Sequence, residues 1–185
     1  MKDWAKPYVL QRTAETLAES VKDEAEREQW LVLKSKVLED EEVVYDELTS
    51  CLNCQFGNEV GDPQDFFYRV FGSVLADLPE EVFKTLCGIK NLFFLFSPKP
   101  RAETKTFELK NDIKEGELLQ VVVFPSASGS LPQMVLRGEI VRELVQAYTS
   151  LGIIIEGKDR IDSIAIGWGF REEIKAVREY KKEKG

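Results

Sequence analysis

The first residues whose spacing could support chemistry are Cys51 and Cys54, which are separated by two residues. Zinc ligands and dithiol redox sites use this spacing. A closed zinc site needs four ligands, and only Cys87 and a carboxylate would be left to complete the set. A dithiol redox site follows a strand and opens a helix, whereas this pair follows an acidic helical segment and precedes a turn. We therefore interpret the three thiols as buried or incidental, with metal or redox use as the alternative.

The sequence contains no histidine, and this absence excludes several classes of active site. Ser-His-Asp triads, Cys-His dyads and metal sites with imidazole ligands all need that side chain. With 25 basic and 33 acidic residues, the chain has a net charge of −8. An anionic chain without a stripe of Lys and Arg repels phosphate backbones. We therefore expect no nucleic-acid partner and no anionic-membrane partner. Because the sequence has neither a Walker A lysine pattern nor a G-x-G-x-x-G pattern, we also expect no cofactor.

A second group of candidate residues lies in an amphipathic segment over residues 132–151. Its helical periodicity places Val141 and Leu144 on an apolar face, and Glu139, Arg142 and Gln146 on a polar one. Glu139 and Arg142 are three residues apart and could form a surface ion pair worth about 0.2–0.5 kcal/mol. Periodicity alone predicts an ordinary helix with a solvated face.

The same segment reads VRELVQA over residues 141–147 and resembles the active-site helix of small gluzincin-type zinc metallopeptidases, where the pattern is H-E-L-x-H-A. In that family a downstream helix supplies the third metal ligand, usually a Glu, in a stretch like E-x-E-A-D-x-x-A-x-x-W-G-F. The corresponding stretch reads DRIDSIAIGWGF over residues 159–170, with matches at Ala165 and at residues 168–170. The resemblance covers about residues 90–172 and implies a zincin-like fold there.

The residues that would define the metal site in that family are replaced in this sequence. The resemblance places Arg142 and Gln146 at the two His positions, and Arg160 near the position of the third ligand. A guanidinium has no lone pair for a metal, and a neutral amide is a poor zinc ligand. Glu143 matches the general base, which has no metal-bound water to deprotonate, and Asp162 matches a second carboxylate. The resemblance therefore implies a metal-free, catalytically inactive protein with these five vestigial positions.

One hypothesis gives Arg142 a positive role. Its charge could replace that of the metal by pairing with Asp162, Asp159 or Glu139, and so hold two helices together. The alternative is that Arg142 extends into solvent. An ion-pairing distance to a carboxylate would distinguish the two.

The remaining pattern predicts helices in the first half of the chain and mixed elements in the second. A long helix with a bend or break is expected over residues 10–38, with further helices over 43–51, from 62 and over 79–88. Strands are expected over residues 91–97, 104–109 and 118–124. Helices follow over 132–151 and from 160 or 161 into the tail.

These elements predict an α+β fold class in a single domain over residues 1–185. Helices occupy residues 1–88, and residues 89–185 form a small three-stranded sheet, mostly antiparallel or mixed, followed by two C-terminal helices. No secretory leader or stretch of about 20 apolar residues is visible, and the cysteine count is odd, which favours a cytoplasmic location.

Three functional hypotheses follow. The first is binding of a protein or peptide, laid along the edge strand by β-augmentation, without catalysis. The second is a metal-independent hydrolase that uses Glu143 or Asp162 as acid or base. The third is a structural protein whose acidic N-terminal helix mediates oligomerisation. The sequence leaves the oligomeric state open.

Overall fold

The structure, a computed structural model, describes residues 1–55, 62–89, 91–97, 103–108, 118–125, 130–149 and 158–184. Within these residues the chain forms eight helices and four strands. In chain order they are α1 (Ala5–Ser20), α2 (Glu24–Val37), α3 (Glu41–Ser50), β1 (Asn53–Gln55), α4 (Asp62–Asp77), α5 (Glu80–Gly88), β2 (Leu92–Ser97), β3 (Glu103–Glu108), β4 (Leu118–Pro125), α6 (Gln133–Thr149), α7 (Lys158–Gly167) and α8 (Arg171–Lys184). None of the described helices combines the length and apolar character that a bilayer-spanning segment requires.

The long N-terminal helix predicted from the sequence is broken into α1 and α2. The backbone leaves the helical conformation at Val21, and Asp23 then starts α2 by accepting hydrogen bonds from the amides of Ala25 and Glu26 at 2.8 and 3.1 Å. Asp40 caps α3 in the same way, through the amide of Glu42 at 2.9 Å. Both caps satisfy amides that have no partner inside the helix.

The four strands form one mixed sheet in the order β1-β2-β4-β3. Strand β2 pairs in parallel with β1 and with β4, and β3 pairs antiparallel with β4 at one edge. Helices α4 and α5 lie between β1 and β2 in the chain, so they form the crossover that parallel neighbours require.

The core is built around aromatic contacts between α4 and the sheet. Phe67 of α4 lies 5.0 Å from Phe124 of β4, and Phe71 lies 5.3 Å from Phe94 of β2, measured between ring centroids. All four rings are fully buried. The surrounding buried side chains form one apolar cluster that extends from Ala5 in α1 to Ile174 in α8.

The fold class predicted from the sequence is wrong. The chain is mostly helical, its sheet is not a mostly antiparallel sheet of three strands, and a zincin-like fold is not shown. The apolar run at β2 and the alternation at β3 mark strands, but neither pattern encodes which strand lies alongside or in which direction. The short β1 was not predicted, because three residues are too few to establish a strand period. The last predicted helix is divided into α7 and α8 at Gly169, whose φ of 109° favours glycine.

Candidate functional site

Helix α6 carries most of the predicted site residues and packs closely against α8. A Cβ atom at Gly138 of α6 would lie 2.5 Å from Cγ2 of Val177 and 2.6 Å from the backbone oxygen of Glu173. Such distances are too short for any side chain, so this close approach of the two helices depends on glycine. The contact brings the charged faces of α6, α7 and α8 within reach of one another.

Arg142 of α6 and Asp162 of α7 form a bidentate ion pair. Nε of Arg142 donates to Oδ1 of Asp162 at 2.7 Å, and Nη2 donates to Oδ2 at 2.9 Å. The side chains of Arg142 and Asp162 are only 17% and 5% exposed. The predicted pairing of Arg142 with a carboxylate is therefore confirmed, and its extension into solvent is wrong. The side chain of Asp159, another proposed partner, lies outside the described residues.

Helix α8 adds two cations to this pair. Nε of Arg178 donates to Oδ2 of Asp162 at 2.8 Å, and Nζ of Lys181 lies 2.7 Å from Oε1 of Glu139. The same Glu139 oxygen lies 3.9 Å from Nη1 of Arg142. These five side chains, called the ion-pair network below, join three helices. Three cations and two carboxylates give the network a net charge of 3 − 2 = +1.

The network determines the protonation of Asp162. Burial would raise the pKa of this carboxyl, but the hydrogen bonds from Arg142 and Arg178 outweigh burial and hold its pKa below the ordinary value. Asp162 is therefore a carboxylate at neutral pH, with both oxygens accepting hydrogen bonds. It has no proton to donate as a general acid near pH 7.

Three other predicted site residues lie on the same two helices, and Gln146 is one turn from Arg142 on α6. Glu143 is buried and Gln146 is half-buried on α6, while Arg160 is exposed near the start of α7. At about 100° per residue, Arg160 lies roughly 200° around the helix from Asp162. The α7 side chain that faces Arg142 is therefore Asp162 and not Arg160. Among the residues that the structure describes, no group of three Cys, Asp or Glu side chains could hold a metal ion.

Sequence reasoning missed the contribution of α8. The sequence pattern predicts only a helix that continues into the tail, which gives no hint that Arg178 and Lys181 have partners on other helices. A second set of buried polar contacts was also missed. Arg137 of α6 binds Asp77 of α4 at 2.7 Å and Glu173 of α8 at 3.1 Å. Both sets depend on tertiary neighbours that no local spacing reveals.

The cysteines are arranged differently from what the C-x-x-C spacing indicated. Cys51 caps the end of α3, Cys54 lies in β1, and Cys87 lies in α5. The sulfur of Cys51 accepts a hydrogen bond from Nη1 of Arg12 in α1, and its hydrogen-bonded thiol neighbour is Cys87. All three are free thiols and half-buried. The pair defined by contact is therefore Cys51–Cys87.

Helix α2 presents an apolar face that is half-exposed to solvent. Trp30, Leu33 and Val37 are spaced three and four residues apart, so they lie in one line along the helix, called the α2 seam below. Their exposed fractions are 51%, 53% and 51%. No residue of α2 is fully buried. Large apolar side chains in a contiguous exposed line are typical of an interaction surface.

Comparison of the chain with protein-family models, with curated proteins and with solved structures gave no match.

Proposed function

We propose that this protein acts without catalysis, as a protein-binding module whose α2 seam pairs with the α2 seam of a second copy. The observation that carries the proposal is the line of half-exposed Trp30, Leu33 and Val37 on a helix with no buried residue. Burial of these side chains against an apolar partner removes them from water, which is the main favourable contribution to protein association.

The charges of α2 favour a second copy as the partner. Glu24 and Glu26 lie in the first turn, and Lys36 lies exposed in the last turn. Lys34, also in the last turn, is already paired with Glu47 of α3, so Lys36 supplies the positive charge at that end. An antiparallel pair related by a two-fold axis places the acidic end of each helix beside the basic end of the other. The two helix dipoles then also oppose each other, which is the favourable arrangement. A parallel pair would place like charges together.

The size of the seam predicts weak pairing. Two antiparallel helices of this length bury about 1,000 Å² in total, below the roughly 1,200–2,000 Å² of a stable interface. The overall charge of −8 also opposes association of two copies. We therefore expect a reversible dimer with a Kd on the order of 10 µM or weaker.

The ion-pair network supports the non-catalytic part of the proposal. Arg142 occupies a position at which a metallopeptidase would need a lone-pair donor, and it is committed to Asp162 by two hydrogen bonds. Asp162, one of the two candidates for a metal-independent hydrolase, is enclosed and held ionised. Both features favour a structural role for this part of the molecule.

Sedimentation velocity over about 1–500 µM protein tests the pairing. We expect the wild-type chain to shift from monomer to dimer with concentration, and Leu33→Glu to remain monomeric because the seam would then bury an unpaired charge. Val32→Glu is the matched control, since Val32 is 54% exposed on the same helix but points away from the seam. A monomeric wild-type chain throughout, or equal loss in both variants, would contradict the proposal.

The edge strand β3 supports a second candidate function, binding of an extended segment by β-augmentation. Its antiparallel pairing with β4 leaves it at the end of the strand order. An added strand would protect the outward amides of β3 from hydrogen exchange, whereas α2 pairing would protect none of them. Hydrogen exchange measured at residues 103–108 in dilute and concentrated protein therefore separates the two modes.

The metallopeptidase resemblance stays a prediction, and metal analysis tests it. Because Asp162 faces position 142, Arg142→His combined with Gln146→His would place two imidazoles near a carboxylate. We expect this double variant to retain stoichiometric zinc after dialysis. The matched control adds Asp162→Asn, which should abolish retention. Retention of zinc by neither variant, or by both equally, would contradict the resemblance.

A further inference from the structure

Cys51, whose hydrogen-bonded thiol neighbour is Cys87, lies at the wall of an open cleft between α1 and α3. The cleft has a volume of about 240 Å³ and is lined by Arg12, Thr13 and Thr16 from α1, and by Glu47, Ser50 and Cys51 from the end of α3. Cys51 is therefore accessible to a small solute, and a guanidinium stands beside its sulfur.

We propose that Cys51 is a site of reversible oxidation, at which a small hydroperoxide converts its thiolate to a sulfenic acid and Cys87 then closes a disulfide with it. The site goes beyond the binding function proposed above and uses none of the residues of the α2 seam.

The contacts of the two thiols assign them different roles. Cys51 accepts hydrogen bonds from Arg12 and from the thiol of Cys87. When protonated, Cys51 can instead donate to the backbone oxygen of Glu47, 3.2 Å away. The hydrogen bond from Cys87, together with the charge of Arg12, lowers the pKa of Cys51 to about 7 against the effect of burial. The same hydrogen bond raises the pKa of Cys87.

Cys54 lacks these features. The pKa of its thiol is raised to about 12 by burial. Because the thiolate is the reactive form of cysteine, Cys51 is the nucleophile of the cluster at neutral pH. Cys87, a neutral thiol in direct contact with Cys51, is placed to react second.

The reaction balances in two steps. The Cys51 thiolate attacks the terminal oxygen of the hydroperoxide, so that an S–O bond forms, the O–O bond breaks, sulfur is oxidised and the peroxide is reduced to an alkoxide that takes a proton from water. The Cys87 sulfur then attacks the sulfenic sulfur, an S–S bond forms, and the departing hydroxide takes the Cys87 proton to leave as water. Overall, two thiols and one hydroperoxide give one disulfide, one alcohol and one water.

Arg12 has a positioning role in the first step. Its guanidinium carries five N–H donors, so it can hold the sulfur of Cys51 and an oxygen of the peroxide at once. The conservative variant Arg12→Lys keeps the positive charge but loses the planar set of N–H donors, whereas Arg12→Gln removes the charge.

The test is peptide mapping of the full-length chain treated with one equivalent of hydrogen peroxide at pH 7, with a dimedone-type trap for sulfenic acid. We expect loss of two thiols per chain and a Cys51–Cys87 disulfide peptide. Cys87→Ser should instead accumulate trapped sulfenic acid at Cys51. Cys54→Ser is the matched control and should behave like the wild type.

The rate of alkylation of each thiol is a second measurement, and its first comparison uses the untreated wild-type chain alone. We expect iodoacetamide to react with Cys51 at least about tenfold faster than with Cys54 at pH 7. Arg12→Gln should slow Cys51 by about tenfold, and Arg12→Lys should restore part of that rate. Equal reactivity of the three thiols, or a Cys51–Cys54 disulfide as the main product, would overturn the proposal.

Discussion

Among the places where this molecule sets an acidic group beside a guanidinium, Asp162 and Cys51 differ in their surroundings. Asp162 receives hydrogen bonds from Arg142 and Arg178, and its side chain is 5% exposed between three helices. Cys51 receives one from Arg12 and lines an open cleft. In both cases the cation lowers the pKa of its partner.

The difference between the two places lies in enclosure and in the number of donors. Both oxygens of Asp162 accept hydrogen bonds, and its side chain has little contact with solvent. Its charge therefore holds the helices together and is not available for a reaction. The Cys51 sulfur faces a cleft and has a second thiol beside it, so its charge remains available for reaction. A lowered pKa alone therefore does not distinguish a structural ion pair from a reactive group.

The largest expected effect comes from removing the carboxylate of the enclosed site. Asp162→Asn should lower the free energy of unfolding by about 3 kcal/mol, because two arginines would lose their counter-charge at a largely buried position. Urea unfolding followed by circular dichroism measures the change. Arg160→Gln on the same helix is the matched control, with an expected change within about 0.5 kcal/mol because Arg160 is exposed. Similar changes in the free energy of unfolding for Asp162→Asn and Arg160→Gln would show that the ion pairs of Asp162 do not stabilise the fold.

The close approach of α6 to α8 gives the next largest effect. Gly138→Ala should destabilise the fold by about 2 kcal/mol, because its Cβ would collide with Val177 and with the backbone at Glu173. Gly88→Ala is the control, since a Cβ there meets nothing within 4 Å. Thermal unfolding of both variants checks the contrast. An unchanged midpoint in Gly138→Ala would mean that the enclosure of Asp162 does not depend on this contact.

The pH dependence of stability sharpens the comparison further. Because the pKa of Asp162 is lower in the folded than in the unfolded chain, its ion pairs stabilise the fold above the unfolded pKa of about 3.9. That contribution is lost as the pH falls through the folded pKa. The difference in unfolding free energy between wild type and Asp162→Asn should therefore be constant from about pH 5 to 7 and shrink below about pH 4. A difference that is undiminished at pH 2 would contradict this assignment.

The smallest effect on stability is expected for Arg12, which lies beside Cys51 at the open cleft. Arg12→Gln should change the free energy of unfolding by less than about 0.5 kcal/mol, since Arg12 is exposed and its pair is screened by solvent. The same variant should move the midpoint of Cys51 alkylation from near pH 7 toward its ordinary value of about 8.5. The groups that contribute to this titration are Arg12, Cys87 and Glu47. A large loss of stability without a shift of the midpoint would show that Arg12 is structural.

The sequence predicted the positions of many helices and strands along the chain better than their arrangement in space. The helix carrying Arg142 and the strand positions of β2 to β4 follow from local periodicity, which is a property of neighbouring residues. The hypothesis that Arg142 pairs with a carboxylate left Asp162, Asp159 and Glu139 open, and the structure pairs it in bidentate fashion with Asp162. The parallel pairing of β2 with β1 and β4 was not predictable, since the choice of neighbour depends on the path of the connecting segments.

At the cleft that Cys51 lines, the sequence pattern did not indicate the residues that contact one another. The C-x-x-C spacing directed attention to Cys51 and Cys54, but a helix end and a strand separate their side chains into different surroundings. The partner of Cys51 lies 36 residues further along the chain, on a helix that the topology brings back beside it (87 − 51 = 36). No signal in the sequence links Cys87 or Arg12 to Cys51.

By itself, the order of residue types determined most of the segments that become helices and strands, and the absence of histidine excluded every chemistry that needs an imidazole. Hydrophobic periodicity and side-chain inventory are local properties, so they can be read without coordinates. Tertiary structure alone decided which acidic group is enclosed by cations and which one opens to solvent. The reason is that desolvation and charge pairing depend on groups distant in the chain, and only the folded backbone brings those groups within a few ångströms.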